Sequence, residues 1–162
     1  MKPYWIDSNF FIDSATGPYP FKRAPTFWSF LDEKLKEGTI CTSEMIYREL
    51  VPYGDELSSW IKNRKQNGLY KEADQEVQKK LTIVVDYVST CGRYLEPNVN
   101  EFLRGADPWI IAHTLAEGGT VVTNETDVHP NSKKVRIPDV CTHFSVRFVN
   151  GFEMLDELDV VL

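Results

Sequence analysis

Apolar residues fall in short runs that alternate with stretches of helical period. Tyr4-Trp5-Ile6 is a run of strand length that ends abruptly at Asp7-Ser8-Asn9, as a buried strand ends when the chain turns toward a helix or loop. Phe10-Phe11-Ile12 follows, then a loop carrying Gly17, Pro18, Pro20 and Pro25. Phe27, Phe30, Leu31 and Leu35 recur at helical spacing up to Gly38, a natural helix stop. Thr39-Ile40-Cys41-Thr42 reads as a second strand, and Ser43 as the cap of a helix bearing Met45, Ile46, Tyr47 and Leu50, with Glu49 among them. That helix stops near Pro52 and Gly54. Leu57, Trp60 and Ile61 predict another, and Ala73, Val77, Leu81, Val84, Val85 and Val88 a longer one over 71–91, although Val84-Val85 also suits a strand.

After Pro97 a short helical stretch from Val99 to Leu103 leads to Asp107-Pro108, read as an N-cap followed by a first-turn proline. Trp109-Ile110-Ile111-Ala112 supplies the buried face of that helix, which ends at Gly118-Gly119. Thr120-Val121-Val122-Thr123 is the clearest strand, running out at Asn124-Glu125-Thr126-Asp127. A helix over 137–144, a strand at Arg147-Phe148-Val149 and a terminal helix from Phe152 to Leu158 complete the pattern. Short apolar strands alternating with helices imply a parallel sheet covered on both faces.

The 162 residues fit one domain, 1–162, and 42% hydrophobic against 26% charged residues excludes a disordered chain. No apolar run approaches the ~18–20 residues that span a bilayer, and Met1-Lys2-Pro3 does not open a signal peptide. A cytoplasmic protein without a membrane partner is the expectation. Cys41, Cys91 and Cys141 are odd in number, widely spaced and set among apolar neighbours, so they read as buried reduced thiols. Neither His113 nor His129 has a partner for nucleophilic catalysis, and Cys141-Thr142-His143 lacks the second ligand pair of a zinc site.

Carboxylates carry the chemistry. The crevice of an open parallel sheet forms outside the carboxyl ends of its strands. Asp7 ends the first strand, Glu125 follows the fourth, Asp107 starts the helix feeding that strand, and Glu49 joins from the middle helix on a partly inward face. Taken singly each has an ordinary explanation: Asp107 as a cap, Asp7 as a turn former, Glu125 and Asp127 as a solvated loop, Glu49 as half of an ion pair with Arg48 or Lys62. Together they would repel strongly unless protons or a hard divalent cation, Mg2+ or Mn2+, sat between them. A water on that cation, its pKa lowered, would attack a phosphorus in line.

These residues resemble the PIN-domain nucleases, especially the VapC-like toxin ribonucleases of toxin–antitoxin pairs. The strand, Asp7-Ser8-Asn9 and the apolar run after it resemble the family's opening motif; Glu49-Leu50 before Gly54 resembles its helix-borne Glu-Leu; Asp107 with Ile110, Ile111 and Ala112 resembles the third motif; Val121-Val122-Thr123 resembles the strand before the fourth. The resemblance implies a three-layer α/β/α sandwich around a mostly parallel sheet, a metal-dependent endoribonuclease, an RNA substrate and a cognate antitoxin protein. Residue by residue it gives the metal-binding acids to Asp7, Glu49 and Asp107, the fourth place to Glu125 with Asp127 in reserve, and the orientation of ligands or water to Ser8, Asn9 and Thr123. Two features depart from the pattern. A helical insertion at roughly 55–104 leaves room for another substrate, partner or oligomer, a homodimer among them. At a net charge of −6 no global field attracts RNA, so binding needs local cations. Lys133, Lys134 and Arg136 are best placed, with Lys62, Arg64 and Lys65 next. The competing readings are a non-catalytic PIN-like module that binds RNA or protein, a haloacid-dehalogenase-like phosphatase, which would want an acid where Asn9 stands, and a phospho-receiver domain, which lacks its paired acid and late Lys.

Overall fold

A computed structural model describes residues 2–65, 70–126 and 130–162. Five parallel strands form one sheet in the order β3-β2-β1-β4-β5: β1 (Tyr4–Ile6), β2 (Ile40–Ser43), β3 (Tyr70–Lys71), β4 (Thr120–Val122) and β5 (Phe148–Val149). β1 pairs in register with β4, Ile6 opposite Val122, so the two strands end side by side. The chain leaves β1 toward β2 on one side and returns to β4 on the other. Strand order therefore reverses between β1 and β4, where an open α/β sheet builds its crevice.

Helices cover both faces. α1 (Ser8–Thr16), α2 (Pro25–Glu37), α3 (Glu44–Leu50) and α4 (Glu56–Lys62) carry the chain from β1 through β2 toward β3, and α1, α3 and α4 pack on one another. α5 (Gln75–Thr90), α6 (Glu96–Arg104) and α7 (Asp107–Glu117) form the crossover from β3 back to β4, with α7 laid against β1, β2 and β4. Right-handed crossovers that step in opposite directions place these two groups on opposite faces. α8 (Ile137–His143) joins β4 to β5 and packs on α7, and α9 (Gly151–Glu157) follows β5. The parallel sheet covered on both faces that the alternating pattern predicts is observed, and with it the three-layer α/β/α architecture that the resemblance implies.

Trp5, Ile6, Ile40, Val121 and Val122 are buried in the strands, while Phe10, Phe11, Phe27, Leu31, Ile110 and Ile111 close over them from the helices. Trp28 meets Trp60 at 5.1 Å between ring centres, tying α2 to α4, so both indoles belong to the core. Arg64 lies over the Trp60 ring at 3.9 Å and its Nε donates to Asp32 at 2.7 Å. It is a packing residue, which takes it out of the reserve of RNA contacts. Gly38 ends α2 in the left-handed region at φ 77°, as the helix stop requires. Gly119 (φ 115°) turns the chain so closely into β4 that an added Cβ would lie 2.2 Å from the Pro3 carbonyl oxygen.

Several local expectations are corrected. The long helix begins at Gln75, because Asp74 accepts from the Val77 N–H as its cap, and the preceding Tyr70-Lys71 pairs with β2 as an edge strand. Val84 and Val85 lie within that helix. Cys91 is exposed, unlike buried Cys41 and Cys141, because it lies just past the end of α5, beyond its last buried residue Val88. Among the described residues no helix is long and apolar enough to cross a membrane.

Candidate active site

Asp7 is the residue that joins β1 to α1. Its backbone N–H continues the strand ladder to the Val122 carbonyl, and its side chain caps α1 by accepting from the Phe10 N–H at 2.8 Å. The other carboxylate oxygen accepts from the Thr123 hydroxyl at 2.8 Å, which the β1–β4 register brings alongside. Asp7 is fully buried. Desolvation pushes its pKa up to about 7; the Phe10 N–H and Thr123 hydroxyl pull the other way, and the charges of Glu125 and Asp13 add to the rise.

Asp107 opens α7, but not as its cap. Ala106 is the cap residue, and its carbonyl already takes the Trp109 and Ile110 N–H groups, so the carboxylate is not needed by the helix end. This corrects the expected N-cap role: Asp107 sits one position further in, Pro108 follows it, and its side chain lines a cleft instead. Its pKa is pushed up to about 8, first by burial, then by the charges of Glu125, Asp7 and Glu49, with Arg136 opposing.

Glu49 reaches the same cleft from the last turn of α3. It is exposed rather than partly inward, because Ile46 and Leu50 form the buried stripe of that helix and leave Glu49 on its flank. Its ion pair with Arg48 does not form, as Arg48 takes Glu44 at 2.9 Å. Instead Glu49 accepts from the Ser8 hydroxyl at 2.7 Å. Gly105, at the end of α6, lies beside it: a Cβ there would stand 3.8 Å from a Glu49 oxygen, an ordinary contact.

Glu125 follows β4. One of its oxygens accepts from the Ile137 N–H at 2.8 Å, which ties the fourth motif to the start of α8, and the other lies 3.5 Å from the Asn9 amide nitrogen. Asp127 and His129 lie outside the described residues. Lys134 and Arg136 face the acids across the cleft, whereas Lys133 contributes its carbonyl, which accepts from the Leu95 N–H and the Asn98 amide.

The cleft has a volume of about 330 Å3 and contains Ser8, Asn9, Glu49, Asp107, Glu125, Lys134 and Arg136 in its walls. Buried Asp7 lies beneath it, coupled to the rest through charge. Asn98, Glu101 and Phe102 of α6 also line it, and sequence reasoning did not single them out. The signal was in the amphipathic pattern: Val99 and Phe102 bury one face of α6, and Asn98 and Glu101, three residues apart, share another.

Among the described residues none of the four acids is in an ion pair with Lys or Arg, and all their donor atoms are oxygens. That chemistry suits a hard divalent cation. Among the described residues no three His, Cys, Asp or Glu side chains converge tightly enough to enclose an ion. The set therefore fits a cation held through one or two carboxylates with water on its remaining positions, as Mg2+ is commonly bound.

A family model described as a domain of unknown function, DUF4411, matches residues 4–162. The chain belongs to the DUF4411 family. No curated protein matches it in sequence. Among solved structures, this DUF4411 chain is similar to a chain in the crystal structure of FitAcB from Neisseria gonorrhoeae, at 17% identity and a TM-score of 0.55, over 92% of this chain and 98% of that one. At that identity the likeness is one of fold.

Proposed function

We propose that the chain is a divalent-metal-dependent endoribonuclease of the PIN type, acting as the toxin of a toxin–antitoxin pair. One observation carries this reading: Asp7 and Asp107 are held at the point where strand order reverses, with pKa values raised to about 7 and about 8, and among the described residues neither forms an ion pair with Lys or Arg. Buried charge without a partner is costly, and such sites recur where a ligand supplies the missing charge. The toxin role and a cognate antitoxin rest on the resemblance of the motifs.

One or two of Asp7, Asp107 and Glu49 would hold Mg2+ or Mn2+, with water on its other positions and Glu125 at the rim. A bound cation supplies stabilisation of the charge developing on phosphate oxygens and a water acidic enough to act as nucleophile. The chain's own groups do the rest. Thr123 and the Phe10 N–H fix the Asp7 carboxylate, Ser8 orients Glu49, and Asn9 approaches Glu125. Lys134 and Arg136 place positive charge opposite the acids, where an RNA phosphate can bridge the two walls.

The looseness of the acid set favours a second reading, a PIN-like module that binds RNA or protein without cutting. Purified protein incubated with mixed cellular RNA and Mg2+, Mn2+ or EDTA separates them. Metal-dependent cutting that Asp7→Asn abolishes is the expected outcome; a folded wild type that binds RNA and leaves it intact would support the binding module.

A further inference from the structure

A second cavity, of about 310 Å3, adjoins the acid cleft and shares Asn9, Glu125 and Arg136 with it as common walls. Its remaining lining is Asp13, Asn124 and Thr126. We propose that this cavity is a ribose subsite, in which Asp13 accepts the 2′-hydroxyl of the nucleotide next to the phosphate held at Arg136, so that it selects RNA over DNA. The proposal rests on the nucleic-acid reading of the neighbouring cleft and adds the residue that recognises the sugar.

Placement comes from α1. Asn9 and Asp13 stand one turn apart on this helix, so a single polar face runs from the acid cleft into the second cavity. Arg136 sits at the junction, and its Nε is buried with no hydrogen-bond partner among the described residues. A guanidinium that lines both cavities places its charge where a phosphate can bridge two subsites.

Beyond Arg136 the chemistry changes. Asp13 repels phosphate, so the part of a nucleotide that enters is one that donates a hydrogen bond. Among the described residues the cavity walls hold no aromatic or aliphatic side chain for a nucleobase to stack on. A sugar needs hydrogen-bond partners and no stacking surface.

The acceptor is pre-set. The Asn124 amide nitrogen donates to one Asp13 oxygen at 3.2 Å, while the Asn124 carbonyl oxygen accepts from the Gly151 N–H at 3.2 Å, which pins the amide's orientation. Among the described residues the second Asp13 oxygen takes no hydrogen bond, and Asp13 is exposed to the cavity. The 2′-hydroxyl is the group that distinguishes RNA from DNA at such a place.

The test measures binding and cutting separately. Fluorescence anisotropy would compare short random-sequence RNA and DNA single strands on Asp107→Asn protein, with and without Asp13→Ala. The expected result is RNA bound about tenfold more tightly than DNA, falling to within about twofold when Asp13 is removed, as for loss of a charge-assisted hydrogen bond. Asp13→Asn, of equal volume, replaces Asp13→Ala if the latter unfolds. An unchanged RNA preference in either folded variant, no preference in the parent, or no RNA binding would overturn the proposal. RNA-selective binding that depends on Asp13, in a wild type that cuts nothing, would leave the subsite standing and remove the nuclease reading.

Discussion

The two ends of the central strands carry the same kinds of residue in opposite states. Near their amino ends, Glu157 of α9 accepts from both Arg147 and the Tyr4 hydroxyl, and those contacts hold its pKa below the usual carboxylate range. At their carboxyl ends, Asp7 and Asp107 have neighbours of like charge, and burial drives their pKa values up to about 7 and about 8. Asp32, held by Arg64 and Lys36, behaves as Glu157 does: hydrogen bonds and charge outweigh its desolvation. Acids that serve the fold are thus paired where they stand, whereas among the described residues Asp7 and Asp107 form no ion pair with Lys or Arg. The lesson is that burial among like charges, without an ion pair to offset it, separates the acids of the cleft from the paired acids near the surface.

The largest effect expected from breaking this contrast is on activity. Asp107→Asn should lower metal-dependent RNA cleavage by about a hundredfold or more, as for other groups that act in the transition state, while its circular dichroism stays native. Asp107 takes no hydrogen bond from the helix it opens, so unfolding of the variant would make it a structural residue after all.

Next in size is a stability effect in the metal-free protein. Asp7 and Asp107 have folded pKa values above the ordinary 3.8, so the folded state binds more protons than the unfolded one between about 4 and 8. Their contribution is fully present below the unfolded pKa and is lost as pH rises through about 7 to 8. Chemical denaturation from about pH 5, inside that window, to about pH 9, above it, should show wild type weakening as pH rises. Asp107→Asn should flatten the fall and gain roughly 1–3 kcal/mol at the alkaline end. An equal slope in both proteins would mean that repulsion at the cleft is absent.

How much of this was legible in sequence differs by element. β1 and β4 were readable because Trp5-Ile6 and Val121-Val122 are continuous apolar runs, and with their helices they placed Asp7 and Glu125 at strand ends. β3 was not, since Tyr70-Lys71 is a two-residue edge strand recognised only by pairing with Thr42 and Ser43. Asp107 was found as a candidate for the right position but the wrong local reason: an Asp-Pro pair reads as cap and first turn, and only the backbone shows Ala106 taking that place. Asn98 and Glu101 were missed because apolar residues define a helix in sequence, whereas its polar face acquires meaning only from what it borders. Asp13 was missed for the same reason, its partner Asn124 lying 111 residues away.

A third prediction concerns buried His113, which stacks on Trp5 at 4.9 Å with neither ring nitrogen hydrogen-bonded among the described residues. Burial lowers its pKa to about 4. The unfolded chain then binds the extra proton between about 6.5 and 4, so the stability from a neutral His113 is present above the upper value and lost as pH falls through the lower one. His113→Phe should reduce this acid loss without touching cleavage, which unfolding curves across that window would register. The smallest effect is expected from Arg147→Ala. An exposed pair contributes little, so cleavage should be unchanged and stability nearly so.

The most direct measurement of the central claim is calorimetric titration of Mn2+ into metal-free wild type and Asp107→Asn protein at neutral pH. Saturable binding by wild type that Asp107→Asn loses or weakens at least about tenfold is the predicted result. Binding of equal strength in both proteins, or no binding by a folded wild type, would contradict the claim that the carboxylates of the cleft are held unpaired for a cation.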